Sequence, residues 1–191
     1  MIKFNEITAK KAQIRKEILG KLYSQSSSDK AQKSAAIKKK LLKDSCFEKA
    51  KSVMFYVSKE YEVDTDDMIR QAWRLRKRII VPVTDVGKKT IIASELKDPD
   101  TELEIGPFGV RQPKRKYIRP VPVNDIDLVI TPGVAFNKTG NRIGHGAGYY
   151  DSFLKILPKD TFTIGLAYGC QIVEEIPTLS WDIPVKKVIS A

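Results

Sequence analysis

Residues 127–157 read DLVITPGVAFNKTGNRIGHGAGYYDSFLKIL, passing from an apolar run through a basic glycine loop to a helical repeat. Leu128, Val129 and Ile130 follow one another without a polar break, the pattern of a strand buried on both faces. After Thr131-Pro132-Gly133 comes the loop Arg142-Ile143-Gly144-His145-Gly146-Ala147-Gly148. Tyr150, Phe153, Leu154 and Leu157 then recur at i, i+3, i+4 and i+7, which predicts a helix whose buried stripe leaves Tyr149 and Asp151 at its edges. Glycines at 144, 146 and 148 allow positive φ and let a ligand approach the main chain. The free N–H groups of a helix start attract an anion, and Arg142 adds a planar cation suited to phosphate oxygens. The spacing is neither GxGxxG nor that of a P-loop, so it is the combination of strand, loop, cation and helix start that predicts a phosphate site.

Outward from this stretch, the apolar pattern repeats. Ser52–Val57 reads as a strand, Asp64 or Thr65 caps a helix to about Arg78, and Ile79–Val83 is a strand stopped by Pro82 and Thr84-Asp85. Such a βαβ unit predicts an α/β fold: an open, mostly parallel sheet flanked by helices, with ligands beyond the carboxyl ends of the strands. Thr90–Leu96, Thr161–Tyr168 and Val185–Ile189 supply further strands. At 191 residues and 42% hydrophobic content, a single domain over 1–191 is expected. Cys46 and Cys170 make no disulfide framework or metal spacing, which suits a reducing compartment. No run reaches membrane length, and the opening MIKFNEITAKK lacks the apolar core of a signal peptide. A cytoplasmic, monomeric protein without a membrane partner is expected.

The net charge of +11 is uneven, with twelve Lys/Arg against four Asp/Glu in residues 1–45. Two readings fit: a nucleic-acid face, or solvated lysine-rich helices. Aromatics interleaved with the lysines are few (Phe4, Tyr23 and Phe47 just beyond), so a nucleic-acid partner is not expected. In the first helix, Glu6–Tyr23, the residues Ile7, Ile14, Ile18 and Leu22 form one stripe, with Lys11 in its middle and Arg15 at its edge. An ammonium there must snorkel out or meet an anion. A second helix, from a cap at Ser28 or Asp29 to Leu42, contributes Ala31, Ala35, Ile37, Leu41 and Leu42. Arg111, Lys114, Arg115, Lys116 and Arg119 form a basic loop.

The string PGVAFNKTGNRIGHGAGYYD (132–151) resembles the signature of the 5-formyltetrahydrofolate cyclo-ligase (5,10-methenyltetrahydrofolate synthetase) family. The resemblance extends to the Lys11-x-x-x-Arg15 spacing, to SKEYEVDT (58–65), to GPFGVRQP (106–113) and to Trp181-Asp182-Ile183-Pro184. It implies a NagB/RpiA/CoA-transferase-like fold and ATP-dependent closure of 5-formyltetrahydrofolate to 5,10-methenyltetrahydrofolate, with ADP and phosphate released. It implies that Lys11, Arg15 and Arg142 carry the catalytic charge stabilisation. Those three, with Gly144, His145, Gly146, Gly148 and Tyr150, would bind ATP. Val57, Glu62, Phe108 and Tyr149 would hold the folate, and Asp151 and Asp182 would hold Mg²⁺. Gln112 stands where the family usually has glutamate, and Lys186 where many members have a second aspartate. Two readings fit the basic loop 111–119: a solvated surface loop, or a loop that steers the folate's glutamate tail, including polyglutamylated forms. A sugar-phosphate isomerase or CoA-transferase-like enzyme is the alternative for the same fold.

Overall fold

The computed structural model describes residues 4–191. Three helices open the chain: α1 (Phe4–Ser24), α2 (Ser27–Leu42) and the short α3 (Ser45–Lys49). There follow β1 (Ser52–Met54), α4 (Asp66–Arg74), β2 (Arg78–Asp85), β3 (Thr90–Leu96), the hairpin β4 (Leu103–Ile105) with β5 (Arg111–Pro113), and β6 (Leu128–Thr131). A second small hairpin, β7 (Ala135–Phe136) with β8 (Arg142–Ile143), precedes α5 (Tyr149–Lys155), β9 (Phe162–Ala167) and β10 (Lys187–Ser190).

Six strands form one sheet in the order β10-β9-β6-β1-β2-β3. All neighbours run parallel except β2 and β3, which pair antiparallel from Ile79↔Leu96 to Asp85↔Thr90. The mostly parallel α/β sheet expected from the apolar runs is therefore present. Strand alternation divides the core. Val53, Ile79, Val81, Leu128 and Ile130 face a core shared with Ile18 and Leu22 of α1, Ile37 and Leu41 of α2, and Met68 and Ile69 of α4. Met54, Ile80 and Val129 face the other way, onto Phe153 and Leu154 of α5.

Several boundaries differ from the sequence reading, each for a local reason. β1 ends at Met54 rather than Val57: Phe55 N–H donates to the Ile80 carbonyl, the next rung needs an N–H at position 82, and Pro82 has none. Pro82 does not stop β2, because its ring nitrogen faces away from β3 and the Pro82↔Ala93 pairing survives. The freed segment Phe55–Val57 stays buried and extended towards the sheet's carboxyl edge. α4 stops at Arg74, four residues early, where Arg76 takes a left-handed φ of 60° and Lys77 N–H closes onto the Ala72 carbonyl. The cap of α2 is Ser26, whose hydroxyl accepts from Asp29 N–H at 3.0 Å. Ala31 and Ala35 face solvent, and Ser34 takes the inward position, bonded to the Tyr168 hydroxyl and to Asp64 N–H. β10 is shifted to Lys187–Ser190, and β9 is one residue shorter at each end than read.

Candidate active site

A cleft of about 910 Å³ opens beyond the carboxyl ends of β1, β2 and β6, where an open parallel sheet places its ligands. Its walls include α1, the stretch after β1, Pro82 and Thr84 of β2 with Ile91 of β3, the β4–β5 hairpin, Pro132-Gly133 after β6, the loop from β8 through α5, and the segment around Trp181. Every candidate site residue lines it: Lys11, Arg15, Val57, Glu62, Phe108, Arg142, Gly144, His145, Gly146, Gly148, Tyr149, Tyr150, Asp151 and Asp182. Residues separated by most of the chain thus converge on one cavity.

The β7–β8 hairpin aims Arg142 inward. Its side chain is only 3% exposed and Nη2 donates to Asp151 Oδ1 at 2.9 Å. The glycine at 144 leaves room for it, since a Cβ there would sit 2.9 Å from Arg142 Nη1. Gly146 and Gly148 have φ of 99° and 75°, and Gly148 turns the loop into α5. Arg15 reaches this loop from α1, Nε donating to the Gly144 carbonyl at 2.8 Å, and burial lowers its pKa from the ordinary value.

Lys11 does not snorkel; it meets an anion of the protein itself, the Asp182 carboxylate. Asp182 Oδ2 also accepts Leu179 N–H at 2.6 Å, and the N–H of neighbouring Ile183 lies 3.4 Å from Asp151 Oδ1. The two carboxylates are thereby brought onto adjacent backbone, each neutralised by a cation. Among the described residues no group of three or more His, Cys, Asp or Glu side chains could form a metal cage.

Glu62 faces the glycine loop: its Oε2 accepts Lys59 N–H at 2.9 Å, and its Oε1 lies 3.6 Å from His145 Nε2. His145 also sits 3.3 Å from the Tyr61 hydroxyl, edge-on to that ring. Burial, then the Glu62 charge, raises the pKa of both Tyr61 and Tyr150, so both stay phenols. Phe108, held at φ 59° on the hairpin tip, meets Tyr149 in a T-shaped contact at 5.9 Å. Trp181 and Phe4 make a second aromatic pair on the rim.

The basic loop lies outside the cleft, as its solvated-surface reading has it. None of Arg111, Lys114, Arg115, Lys116 or Arg119 lines the cleft. Arg111 is clamped on Asp66, Arg119 on Glu102, and Lys114 donates to the Thr101 carbonyl, so these cations serve the fold. Gln112 accepts Thr84 N–H at 3.1 Å and ties the hairpin to β2 without needing a charge. Lys186 donates to the Lys159 carbonyl, outside the cleft. Thr8, Lys59 and Lys155 line the cleft but were not singled out from sequence. Lys155 lies four residues after Asp151, a helical spacing that could have found it.

The model of the 5-formyltetrahydrofolate cyclo-ligase family matches residues 7–191. The 5-formyltetrahydrofolate cyclo-ligase of Haemophilus influenzae is 36% identical over 141 residues, covering 73% of this chain and 75% of the relative. A probable 5-formyltetrahydrofolate cyclo-ligase of Caenorhabditis elegans is 31% identical over 99% of this chain and 95% of its own length. The solved 5,10-methenyltetrahydrofolate synthetase of Aquifex aeolicus superposes with a TM-score of 0.81 at 30% identity, over 94% of this chain and 89% of that one. The synthetase of Mycoplasma pneumoniae, at 24% identity and a TM-score of 0.75, shares the fold over 94% of this chain and 97% of its own. With a glycine loop, two basic residues from α1 and a facing glutamate gathered in one cleft, and a family model matched along nearly its whole length, the chain belongs to the 5-formyltetrahydrofolate cyclo-ligase family.

Proposed function

We propose that this protein closes 5-formyltetrahydrofolate to 5,10-methenyltetrahydrofolate at the expense of ATP, releasing ADP and phosphate. The observation that carries this reading is a single cleft that gathers cations, a glycine loop and Glu62 among apolar and aromatic walls, in a chain of this family. The formyl oxygen is a poor leaving group. Transfer of the γ-phosphoryl group to it creates a centre that N10 attacks; N10 gives up its proton to solvent, and the C–O bond breaks with its electrons leaving on phosphate.

Such transfer asks the protein for positioning and charge stabilisation rather than for a nucleophile. Lys11, Arg15 and Arg142 offset phosphate charge, and the backbone amides around Gly144, His145, Gly146 and Gly148 cradle it. Tyr150 supports Arg142 from below its guanidinium, with 5.9 Å between the guanidinium carbon and the ring centre. Glu62 accepts hydrogen bonds from the pterin, with Val57, Phe108 and Tyr149 as its walls.

The residues present fit Mg²⁺. Asp151 engages its protein partners through Oδ1 and Asp182 through Oδ2, which leaves one oxygen on each for a hard cation. Two carboxylates completed by water and substrate oxygens suit Mg²⁺ better than an all-protein cage. Bound there, Mg²⁺ would neutralise phosphate charge.

The test is the absorbance of methenyltetrahydrofolate formed from 5-formyltetrahydrofolate, with and without ATP and Mg²⁺. Product that appears only with both is the expected result. Product formed without nucleotide, or none at all, sinks the reading and returns the isomerase or transferase alternative.

A further inference from the structure

The face that α1 turns to the cleft is ordered by kind. Phe4, Thr8, Lys11, Ala12 and Arg15 line the cleft, at the spacing of one helix side. Three of them meet partners from elsewhere in the chain. The Phe4 ring meets the Trp181 ring with centroids 5.9 Å apart, the Lys11 ammonium meets Asp182, and Arg15 Nε donates to the Gly144 carbonyl at 2.8 Å. At about 1.5 Å of rise per residue, Phe4 stands about 10 Å before Lys11 along the helix axis, and Arg15 about 6 Å after it.

This order has a direction. At the Arg15 end, Nη2 lies 3.7 Å from the position a Cβ on Gly146 would take, so the guanidinium borders the glycine loop. His145 of that loop lies 3.6 Å from Glu62, the residue assigned to the pterin. A γ-phosphoryl group that passes to the folate must sit at this end. The rest of the nucleotide then trails back along α1, past Lys11 and Asp182, towards Phe4. What waits there is a pair of large apolar rings left 56% and 53% exposed. They are inclined at 50°, so neither lies flat against the other. Phe4 also precedes residue 7, the first that the family model matches, so this ring is an addition of the chain's own.

We infer that Phe4 and Trp181 hold the adenine base of ATP by stacking, one end of a nucleotide laid along α1. This rests on the cyclo-ligase reading. Aromatic rings take a base through its π-face, so two half-exposed rings suffice without a hydrogen-bonding partner for its edge. Trp181 is joined directly to Asp182, which puts the base contact and a phosphate-end carboxylate on one short segment. Phe4 and Lys11 do the same on α1.

A ligand with the phosphates but no base separates this role from the rest of the site. The chain has two tryptophans, and Trp73→Phe, on α4 and outside the cleft, leaves Trp181 as the only one. In that protein, with Mg²⁺ present, ATP should quench the fluorescence saturably and inorganic tripolyphosphate should not. Calorimetric titration of Phe4→Ala and Trp181→Ala should give a Kd for ATP about tenfold weaker than wild type, with Trp181→Phe keeping most of the affinity. Tripolyphosphate should bind wild type and these variants alike, weakly or not at all. Equal quenching by both ligands, equal weakening of both in the alanine variants, unchanged ATP affinity, or no rescue by phenylalanine overturns the inference alone if wild type still makes methenyltetrahydrofolate with ATP. A wild type that neither binds ATP nor makes that product overturns the functional reading as well.

Discussion

The Lys11 ammonium on α1 is bonded to the Asp182 carboxylate 171 positions along the chain, and the two side chains are 12% and 14% exposed. One pair therefore closes α1 over the cleft and holds together two residues assigned to opposite charges of a metal nucleotide. Lys11→Ala leaves Asp182 without its cation and should cost about 1–3 kcal/mol of stability, and Asp182→Ala a comparable amount. The double variant should lose less than the sum, because neither residue then keeps an unpaired charge. Denaturant melts of the four proteins measure this coupling. ATP titrations should show a raised KM in Lys11→Ala and in the double variant alike, since restored stability does not restore a phosphate contact. Strictly additive melts with normal ATP dependence would remove Lys11 from both roles.

Asp151→Asn tests the metal assignment. An amide oxygen is a poorer ligand for a hard cation, so the variant should need several-fold more Mg²⁺ for half-maximal turnover while binding folate nearly as before. Arg142 loses the charge that holds it, so ATP affinity should weaken too. A magnesium titration that overlays wild type places the metal elsewhere.

How much of this was legible beforehand follows from locality. The glycine loop, Arg142 and Asp151 lie within ten residues, and Lys11 breached an apolar stripe within its own helix, so each could be read from its neighbours. What Lys11 meets depended on a segment at the far end of the chain, and no periodicity encodes that pairing. The early end of β1 depended on Pro82 in the adjacent strand, a fact of register rather than of the β1 sequence. The partners of the basic loop were not legible, because the carboxylates that hold Arg111 and Arg119, Asp66 and Glu102, come from other elements.

Glu102 gives a prediction about pH. Its carboxylate takes a two-pronged bond from Arg119, at 2.7 and 2.8 Å, which holds its pKa below the ordinary 4.5. The folded protein binds this proton less tightly than the unfolded chain does. Its contribution to stability is therefore complete above about pH 4.5 and is lost as pH falls through the depressed value. Melting temperature should drop on acidification from pH 6 to pH 3 more steeply in wild type than in Glu102→Gln, which starts lower at pH 6. Parallel curves would show that the pair contributes nothing to the acid limb.

The loop geometry makes Gly144→Ala informative. A Cβ at 144 would press on Arg142 Nη1 and move the guanidinium off Asp151. ATP KM should rise as it does for Arg142→Ala, by about tenfold, corresponding to loss of a charge-assisted contact of about 1.5 kcal/mol or more. An unaltered ATP KM in the alanine variant would mean that the arginine tolerates displacement and that its position is not what the nucleotide reads.

Gly20 is the counter-example in the same protein. It lies inside α1, exposed, with nothing within 4 Å of the position a Cβ would take and no positive φ. No turn or close approach requires it. Alanine there restricts the unfolded chain and suits the helix, so Gly20→Ala should stabilise by about 0.4–1 kcal/mol. For a chain of this length that is a rise of roughly 1–4 °C in melting temperature. Turnover should be unchanged, because Lys11 and Arg15 already stand at fixed positions earlier on the same helix. A melting temperature that falls instead would show that α1 must bend at Gly20 to bring those two residues over the cleft. The ATP KM of the same variant should then rise, which separates a bend the site needs from a helix that is merely strained.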